Sequence, residues 1–349
     1  MTKETPQLGN VMAPDAAWVA KVSEPALEPE LPIVDPHHHL WQRAGNDYMF
    51  HDLLADTRTG HNIVATVFVD CHSMYRKDGP AELRCIGETE FANGVAAMSA
   101  SGIYGNLRAC AGIVGHVDLR LGGKAGAVFD AQIAAGNGRF KGIRHQTGWD
   151  ADPGIRNSRT DPTPELTRDK TWRAGFAELA RRDLTFDTWL YHPQLAEIAE
   201  LADAFPATPI VLDHVGGPLG YAGYAGRHVE VRQAWKKSMA ELAKRQNIVV
   251  KVGGLGMAMG WFDFYQRPTP PDSQILADAF KPWVEPCIEL FGSRRCMFES
   301  NFPVDKISSG YGVLWNAFKR LAAGASADEK SALFSGTARR VYRLDRDGV

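Results

Sequence analysis

LPIVDPHHH (31–39) is the first of eight short apolar runs that are spaced along the chain. The other seven follow in this order: NIVATVFVD (62–70), LRACAGIVGHV (107–117), FKGIRH (140–145), LTFDTWLY (184–191), PIVLDHVG (209–216), NIVVKVGG (247–254) and RRCMFESN (294–301). Short β-branched runs of this kind indicate buried strands. Eight strands that alternate with helices in one series predict the α/β class, and within it a (β/α)8 TIM barrel. A doubly wound sheet with fewer strands is the alternative fold.

In the segments between these runs, apolar residues recur at helical spacing. The candidates are GPAELRCIGETEFANGVAAMSA (79–100), TWRAGFAELARR (171–182), HPQLAEIAELADAF (192–205) and EVRQAWKKSMAELAKRQ (230–246). In the last segment, one side of the predicted helix is apolar and should face the core. Its residues are Val231, Trp235, Met239 and Leu242.

Two kinds of segment lie outside this alternation. Residues 1–30 are rich in Pro, Ala and Glu and predict an N-terminal extension outside the main core, so that the barrel spans 31–349. Residues 146–169, 217–229 and 254–273 are rich in Gly, Pro, Asp and Tyr and predict long loops after strands. Such loops lie at the C-terminal mouth of a barrel, and loops of this length predict a covered or gated active-site pocket.

The composition excludes several classes of partner. The 349 residues carry a net charge of −2, without the basic stripe that nucleic-acid binding requires. No apolar run approaches the length of about 18 residues that a membrane span needs. Five cysteines, an odd number without a CxxC pair, indicate free thiols in a reducing compartment. We therefore expect a soluble, cytoplasmic protein with a small-molecule substrate and no nucleic-acid or membrane partner, and the sequence is compatible with a homo-oligomer.

The strongest chemical signal lies at the end of the first run, in Asp35-Pro36-His37-His38-His39. Side chains in a strand alternate between two faces, so His37 and His39 share a face and His38 points the other way. Two imidazoles aimed into a barrel mouth can bind one divalent metal ion or one oxyanion. The alternative, a run of surface histidines, is disfavoured because apolar residues flank the motif on both sides.

Asp-x-His-x-His at the end of a first strand resembles the hallmark of the amidohydrolase superfamily. The longer string IVDPHHHLW (33–41) is similar to the branch that contains sugar-acid lactonases and the 2-pyrone-4,6-dicarboxylate lactonase. The resemblance extends from about residue 31 to about residue 344, through KGIRH (141–145), IVLDHVGGP (210–218), VVKVGGLGM (249–257), MFESNFPVD (297–305) and LFSGTARRVYRL (333–344). It implies a TIM-barrel hydrolase of the amidohydrolase-2 type.

Further candidates lie at the ends of later strands. The resemblance implies that His214 faces the pocket as a metal ligand or as a group that polarises the substrate carbonyl. Arg144 and His145 end the fourth run, and a planar guanidinium at a barrel mouth suits a substrate carboxylate. Because neighbours in a strand point to opposite faces, only one of Arg144 and His145 faces fully inward. An ion pair between Arg144 and a loop carboxylate is the alternative.

Three more side chains are candidates for contact with substrate. Lys251, inside the seventh run, is costly to bury without a partner, so it either anchors substrate or forms an inter-strand ion pair. Tyr191 shares a strand face with Trp189 and is predicted to line the pocket. His72 follows the second run and is predicted to touch substrate. A nucleophilic pair of His72 with Cys71 is disfavoured because adjacent residues point to opposite faces.

The eighth run departs from the family pattern. The resemblance implies Ser-Asp-aromatic-Pro at this point, with the Asp as general base and frequent metal ligand, whereas this chain has Ser-Asn-Phe-Pro at 300–303. The amide of Asn301 cannot accept a proton from water near neutral pH. Glu299, on the same strand face, and Asp305 are the alternative bases, with Asn301 positioning the water or the substrate. Glu299 could instead pair with Lys251 or Arg144 across the barrel floor.

Together these residues predict an enzyme that hydrolyses a carboxylic ester bond by opening the lactone of a small carboxylated or hydroxylated acid. His37, His39 and His214 polarise the carbonyl, either directly or by binding a divalent metal ion, for which zinc is the first candidate. The resemblance also allows a metal-free mechanism. The alternatives are a non-oxidative decarboxylase on the same scaffold and a degenerate relative that only binds a ligand, which Asn301 supports.

Overall fold

The computed structural model describes residues 8–344, and eight strands form one sheet. The strands are β1 Pro32–His38, β2 Asn62–Val69, β3 Arg108–Gly115, β4 Phe140–Arg144, β5 Thr185–Thr188, β6 Ile210–Leu212, β7 Ile248–Val252 and β8 Cys296–Phe298. Each strand pairs in parallel with the next strand along the chain. Every strand forms inside one of the eight predicted runs, which confirms their assignment.

Hydrogen bonds join the two ends of the sheet. The backbone N–H of Asn301 donates to the carbonyl oxygen of His37 (2.9 Å), and that of His39 donates to the carbonyl oxygen of Phe302 (2.8 Å). These bonds connect β1 to the chain directly after β8, so the sheet forms a nearly closed barrel. The predicted TIM barrel is confirmed, and the doubly wound alternative is wrong.

Helices connect the strands on the outside of the barrel. Their bounds are α1 Ala16–Val19, α2 Phe50–Thr57, α3 Ile86–Ala100, α4 Ala125–Gly136, α5 Lys170–Phe176, α6 Leu195–Ala204, α7 His228–Leu242, α8 Ser273–Phe291, α9 Tyr311–Leu321, α10 Ala327–Ser331 and α11 Thr337–Tyr342. The predicted apolar face of α7 is confirmed, because all four of its residues are buried. Within residues 8–344, no helix combines the length and the apolar character that crossing a membrane requires.

The barrel interior has an apolar end and a polar end. Small and β-branched side chains fill the apolar end together with residues of α11: Val34, Ala65, Val67, Val211, Val249, Val341 and Tyr342. Thr337 in α11 donates through Oγ1 to the carbonyl oxygen of Ser293 (3.1 Å), so α11 lies where β8 begins. The polar residues that follow the strands lie at the opposite end, and the buried Asp187 connects the two ends by accepting from the hydroxyl of Tyr342 (2.6 Å). All five cysteines are buried and free, as predicted.

The N-terminal segment from residue 8 onward packs on the barrel surface. Trp18 in α1 is buried, and its Nε1 donates to the carbonyl oxygen of Arg267 (2.8 Å). The backbone N–H of Gly9 donates to the carbonyl oxygen of Ala258 (2.8 Å), in the long loop after β7. The boundary predicted at residue 30 stays a prediction, and residues 1–7 and 345–349 of the two predicted segments lie outside the described residues.

Candidate active site

A cavity of about 120 Å³ opens where the strands end and the long loops begin. Side chains from the strand ends line its inner part: His39, Arg144, His214 and Asn301. Aromatic side chains form part of its wall: Trp41, Trp189 and Tyr191. Two of the predicted loops, 146–169 and 254–273, contribute to the wall, and the N-terminal segment adds residues 9–11. The cavity is therefore partly covered, in agreement with the expectation from the loop lengths.

Three predicted histidines meet at the inner end of this cavity. His37 Nε2 lies 3.3 Å from His39 Nε2, and the rings of His37 and His214 have centroids 4.5 Å apart. His38 points away from this cluster and contacts Thr66, with Nε2 2.8 Å from Oγ1. The alternation predicted for the first strand is therefore confirmed. His39 and His214 line the cavity, whereas His37 is fully buried beneath them.

His37 and His39 are neutral imidazoles at neutral pH. Burial lowers the pKa of His37 well below its ordinary value, and the positive charge of Lys251 lowers it further. Burial, followed by the charge of Arg144, likewise lowers the pKa of His39. His39 Nδ1 lies 2.9 Å from the carbonyl oxygen of Val69, so Nδ1 carries the proton that it donates and Nε2 carries the lone pair.

Glu299 binds two of the histidines and does not line the cavity. Its Oε1 accepts from Nδ1 of His214 (2.7 Å) and from the backbone N–H of the same residue (3.1 Å). Its Oε2 lies 2.9 Å from His37 Nδ1. Glu299 is completely buried, and its direct activation of water stays a prediction. Its contacts orient His214, and they also replace the predicted pairing of Glu299 with Lys251 or Arg144.

Asn301 lines the cavity and is tied to Asp305. Its Nδ2 donates to Asp305 Oδ1 (2.7 Å), and Oδ2 of the same carboxylate accepts from the backbone N–H of Gly256 (2.7 Å). Burial raises the pKa of Asp305 to about 7. Asp305 does not line the cavity, and its role as a direct base stays a prediction as well. The Oδ1 atom of Asn301 has no hydrogen-bond partner among residues 8–344.

Arg144 lines the cavity, but protein groups occupy most of its donors. Its Nε donates to Asp70 Oδ1 (2.7 Å), and Nη2 donates to the carbonyl oxygen of Asp70. Its Nη1 lies 3.4 Å from Asp213 Oδ2 and 3.3 Å from His37 Nε2. Burial alone would lower the pKa of Arg144, but the charges of Asp70 and Asp213 raise it above its ordinary value. This ion pairing is the alternative predicted for Arg144, with carboxylates that follow strands instead of loop residues.

Three residues predicted to contact substrate lie outside the cavity lining: His72, His145 and Lys251. Lys251 is completely buried, and its Nζ lies 2.6 Å from Asp187 Oδ2 and 3.2 Å from Asp213 Oδ1. His145 points away from the barrel axis, where its Nδ1 accepts from the backbone N–H of Leu119 (3.2 Å). Their contact with substrate stays a prediction. Tyr191 does line the cavity, and its hydroxyl donates to the carbonyl oxygen of Arg156.

Two arginines that the sequence analysis missed lie on one side of the cavity. Arg43 Nη2 and Arg159 Nη1 both donate to the carbonyl oxygen of Cys71, at 2.9 and 3.2 Å. In the described part of the chain, neither guanidinium has a carboxylate partner. Burial and then the nearby charge of Arg159 lower the pKa of Arg43. No pattern in the sequence singles them out, because loop residues follow no period.

The metal-ligand geometry differs from the predicted set of three histidines. One group in residues 8–344 with ligand atoms within 4.8 Å of one another comprises His37, His214 and Glu299, without His39. Two permanent cations face the nitrogens of His37: Lys251 Nζ lies 3.1 Å from Nδ1, and Arg144 Nη1 lies 3.3 Å from Nε2. A divalent ion on either nitrogen would meet like charge at close range. The two cations oppose a divalent ion at His37, whereas Glu299 Oε2, 2.9 Å from Nδ1, would favour one, and we derive no reaction step through a metal ion.

The arrangement defines a class of protein, namely a TIM barrel with a His-x-His pair at the end of β1 and a histidine after β6 at its mouth. The family model described as Amidohydrolase matches residues 34–344, and the chain belongs to this family. The resemblance drawn from the sequence is confirmed.

Relatives with similar sequences span most of the chain. The uncharacterised protein y4mH from Sinorhizobium fredii is 34% identical over 341 residues, which are 90% of this chain and 99% of the relative. An L-fucono-1,5-lactonase from Burkholderia multivorans is 28% identical over 236 residues, which are 67% of this chain and 72% of that enzyme. The family and the relatives named as lactonases support an enzyme of the hydrolase type.

Solved structures share the fold. An amidohydrolase from Burkholderia multivorans has been solved with HEPES bound and with zinc bound. Both structures have a TM-score of 0.67, with 25% and 24% identity, and the matches cover 89% of this chain and 99% of theirs. Other proteins with this fold are named as hydrolases and as decarboxylases, so the fold alone does not determine the reaction.

Proposed function

We propose that the protein opens the cyclic ester of a small carboxylated acid by adding water to its carbonyl carbon. The observation that carries the proposal is the charge of the cavity. Four arginines line it, and none of the lining residues in the described chain is Asp or Glu. Such a cavity attracts an anionic substrate. The His214–Glu299 pair at its inner end supplies a group that can move a proton.

Arg43 and Arg159 bind the substrate carboxylate in this proposal. Their guanidiniums converge on one carbonyl oxygen and have no carboxylate partner in residues 8–344. A ligand carboxylate between them would accept charge-assisted hydrogen bonds from two planar donors. The proposal therefore assigns carboxylate binding to these loop arginines instead of Arg144, whose donors are already engaged.

His214 is the general base. Because its Nδ1–H donates to Glu299 (2.7 Å), the lone pair resides on Nε2, and His214 lines the cavity. The water oxygen forms a bond to the carbonyl carbon while its proton moves to Nε2. The ring C–O bond then breaks, and the departing alkoxide takes that proton and becomes a hydroxyl. Glu299 accepts the hydrogen bond from Nδ1–H and holds the imidazole in position.

Arg144 and Asn301 complete the reaction centre. Negative charge develops on the carbonyl oxygen in the transition state, and the buried cation of Arg144 at the inner end of the cavity stabilises it. The Oδ1 atom of Asn301 has no partner within residues 8–344, and it accepts a hydrogen bond from the attacking water. Asn301 thus orients water without acting as a base, which is consistent with the loss of the usual Asp.

Matched pairs of lactones test the proposal. The cavity of about 120 Å³ has room for about ten waters, so monocyclic five- and six-membered lactones are suitable. Each ring is supplied with a free carboxylate and as the neutral amide, and ring opening is followed by proton release and by NMR of the product. We expect turnover of the carboxylated member, with kcat/KM at least about tenfold above that of the amide.

Two results would overturn the proposal in favour of the alternatives. Release of carbon dioxide from a carboxylated aromatic acid, without opening of any lactone, would identify a decarboxylase. Binding of carboxylated lactones without turnover would identify a degenerate relative that only binds its ligand.

A further inference from the structure

A second group of ligand side chains lies beside Arg144, outside the cavity lining. Asp70 directly follows β2, His72 lies two residues later, and His116 directly follows β3. One ligand atom from each of the three side chains lies within 4.8 Å of the others. None of the three lines the cavity or belongs to the group of His37, His214 and Glu299.

Two atoms of this group have no hydrogen-bond partner in the described part of the chain. Asp70 Oδ2 and His72 Nε2 are both buried and unpartnered, and they lie 3.7 Å apart. This distance is too long for a hydrogen bond between them. It matches two ligands of one ion, because zinc bonds of about 2.0–2.2 Å place neighbouring ligand atoms about 3.3–3.7 Å apart. Buried polar atoms without partners are rare in proteins, so this pair requires an explanation.

In two of these side chains, the other polar atom forms a hydrogen bond with Arg144. This bond leaves the proposed ligand atom available to an ion. His116 Nδ1 lies 3.0 Å from the carbonyl oxygen of Arg144 and donates to it, which leaves the lone pair on Nε2. Asp70 Oδ1 accepts from Nε of the same arginine (2.7 Å), which leaves Oδ2 directed toward His72. Outer contacts of this kind fix the tautomer and the orientation of ligands.

His72 is held in place by its neighbours and by an uncommon backbone conformation. Its φ of 59° lies in the left-handed region, which is costly for a residue with a side chain. Glu88 Oε1 accepts from the backbone N–H groups of Cys71 (2.9 Å) and Ser73 (2.8 Å), on either side of His72. Strain that the surrounding structure enforces at one residue is typical of functional positions.

We propose that Asp70, His72 and His116 bind one divalent transition-metal ion, with zinc as the first candidate. Two imidazoles and one carboxylate form a donor set that zinc accepts. A quarter of the His72 side chain is exposed, and a water molecule completes the coordination of the ion. The ion links the ends of β2 and β3 and stabilises this side of the barrel mouth. The proposal is independent of the reaction assigned to the cavity.

Anomalous scattering locates the ion directly. Crystals of the full chain grown with zinc chloride are measured above and below the zinc absorption edge. We expect an anomalous peak between Asp70 Oδ2, His72 Nε2 and His116 Nε2. A map with no peak at this position, or with a peak only beside His37, would overturn the proposal.

Thermal unfolding of matched variants gives a second test. His72→Gln removes one ligand, and His192→Gln is the control, because His192 is a similarly shielded histidine whose Nδ1 accepts from the backbone N–H of Leu219 (3.3 Å). We expect zinc to raise the Tm of the wild type and the control by about 2 °C or more. His72→Gln should bind zinc at least about tenfold more weakly. An equal zinc-induced rise of Tm in all three proteins would contradict the assignment, and if His72→Gln fails to fold, the anomalous map of the wild type decides.

Discussion

Asn301 and Asp305 share a hydrogen bond of 2.7 Å between an amide and a carboxylate. Burial raises the pKa of Asp305 to about 7, and Asn301→Asp would place a second buried carboxylate beside it. Repulsion between the two would raise both pKa values further. We expect the variant to lose at least about tenfold in kcat and roughly 1–3 kcal/mol in free energy of unfolding. Steady-state kinetics and urea unfolding measure the two losses.

The pH dependence separates this repulsion from a simple loss of packing. Acids whose folded-state pKa is raised stabilise the fold below their unfolded pKa and lose that contribution as the pH rises. The stability deficit of Asn301→Asp should therefore be smallest below pH 3.8, the ordinary value for Asp305, and should grow as the pH passes about 7. The double variant Asn301→Asp, Asp305→Asn restores one amide and one carboxylate and should recover most of the stability. A deficit that is the same at all pH values would contradict the explanation.

Arg43 and Arg159 are expected to determine the preference for a carboxylated substrate. Arg43→Gln and Arg159→Gln each remove a charge-assisted hydrogen bond to the substrate, which should raise KM for the carboxylated lactone by about tenfold or more. The KM of the neutral amide should change little. Arg58→Gln is the control, because Arg58 also donates to a backbone carbonyl, that of Tyr104 (2.7 Å), but lies outside the cavity lining. Equal effects on both substrates would show that the arginines only support the loops.

The sequence predicts the direction of side chains within a strand better than the contacts between strands. His37 and His39 share a face because alternation is local, and the structure brings their Nε2 atoms to 3.3 Å. Glu299 was predicted to share a strand face with Asn301. It lies two residues earlier, deeper in the barrel, and contacts His214 instead of the cavity. Arg43 lies in a loop, where side-chain directions do not alternate regularly as they do in a strand. The sequence therefore has no pattern that would assign it to the site.

At the scale of secondary-structure elements, the end of β7 controls the position of His214. Gly254 has a φ of 66°, and a Cβ added there would lie 2.3 Å from His214 Nδ1. Gly254→Ala would therefore displace the imidazole that Glu299 orients. We expect a loss of about 10²-fold in kcat, because a displacement of this kind misaligns the base. Steady-state kinetics of the folded variant measure it.

Gly292→Ala is the matched control for this substitution. Gly292 has a φ of 76°, and a Cβ there has no neighbour within 4 Å. Both variants carry a backbone strain of about 1–3 kcal/mol, but only Gly254→Ala contacts the site. Equal kcat values for the two variants would contradict the role assigned to Gly254.

Strands were predictable here because burial on both faces leaves continuous apolar runs, and all eight strands lie inside such runs. The glycines after β7 contribute to the sequence-based prediction only as part of the motif VVKVGGLGM (249–257). Their role depends on how closely the end of β7 approaches His214 and Glu299. The sequence of one strand does not determine this distance. The contacts of Lys251 depend on Asp187 in β5 in the same way.

At the scale of the whole molecule, the alternation of strands and helices was enough to predict the closed barrel. The expectations of a cytoplasmic location, a small-molecule partner and a homo-oligomer stay predictions. They depend on the surroundings of the molecule more than on its fold.

Metal removal tests whether the reaction at the barrel mouth requires a metal ion. Both nitrogens of His37 face permanent cations, so the proposed hydrolysis uses no metal ion at this position. We expect dialysis against a chelator to leave kcat unchanged and added zinc not to raise it. Loss of activity that zinc restores, in the His72→Gln background where the second metal site is removed, would contradict the metal-free mechanism.

The most direct test of the central claim follows the oxygen of the attacking water. The carboxylated lactone is turned over in water labelled with oxygen-18, and the product is analysed by mass spectrometry for the wild type and for His214→Gln. We expect one labelled oxygen in the new carboxylate, and a kcat about 10²–10⁴-fold lower in the variant. An unlabelled product, or a variant as fast as the wild type, would contradict it.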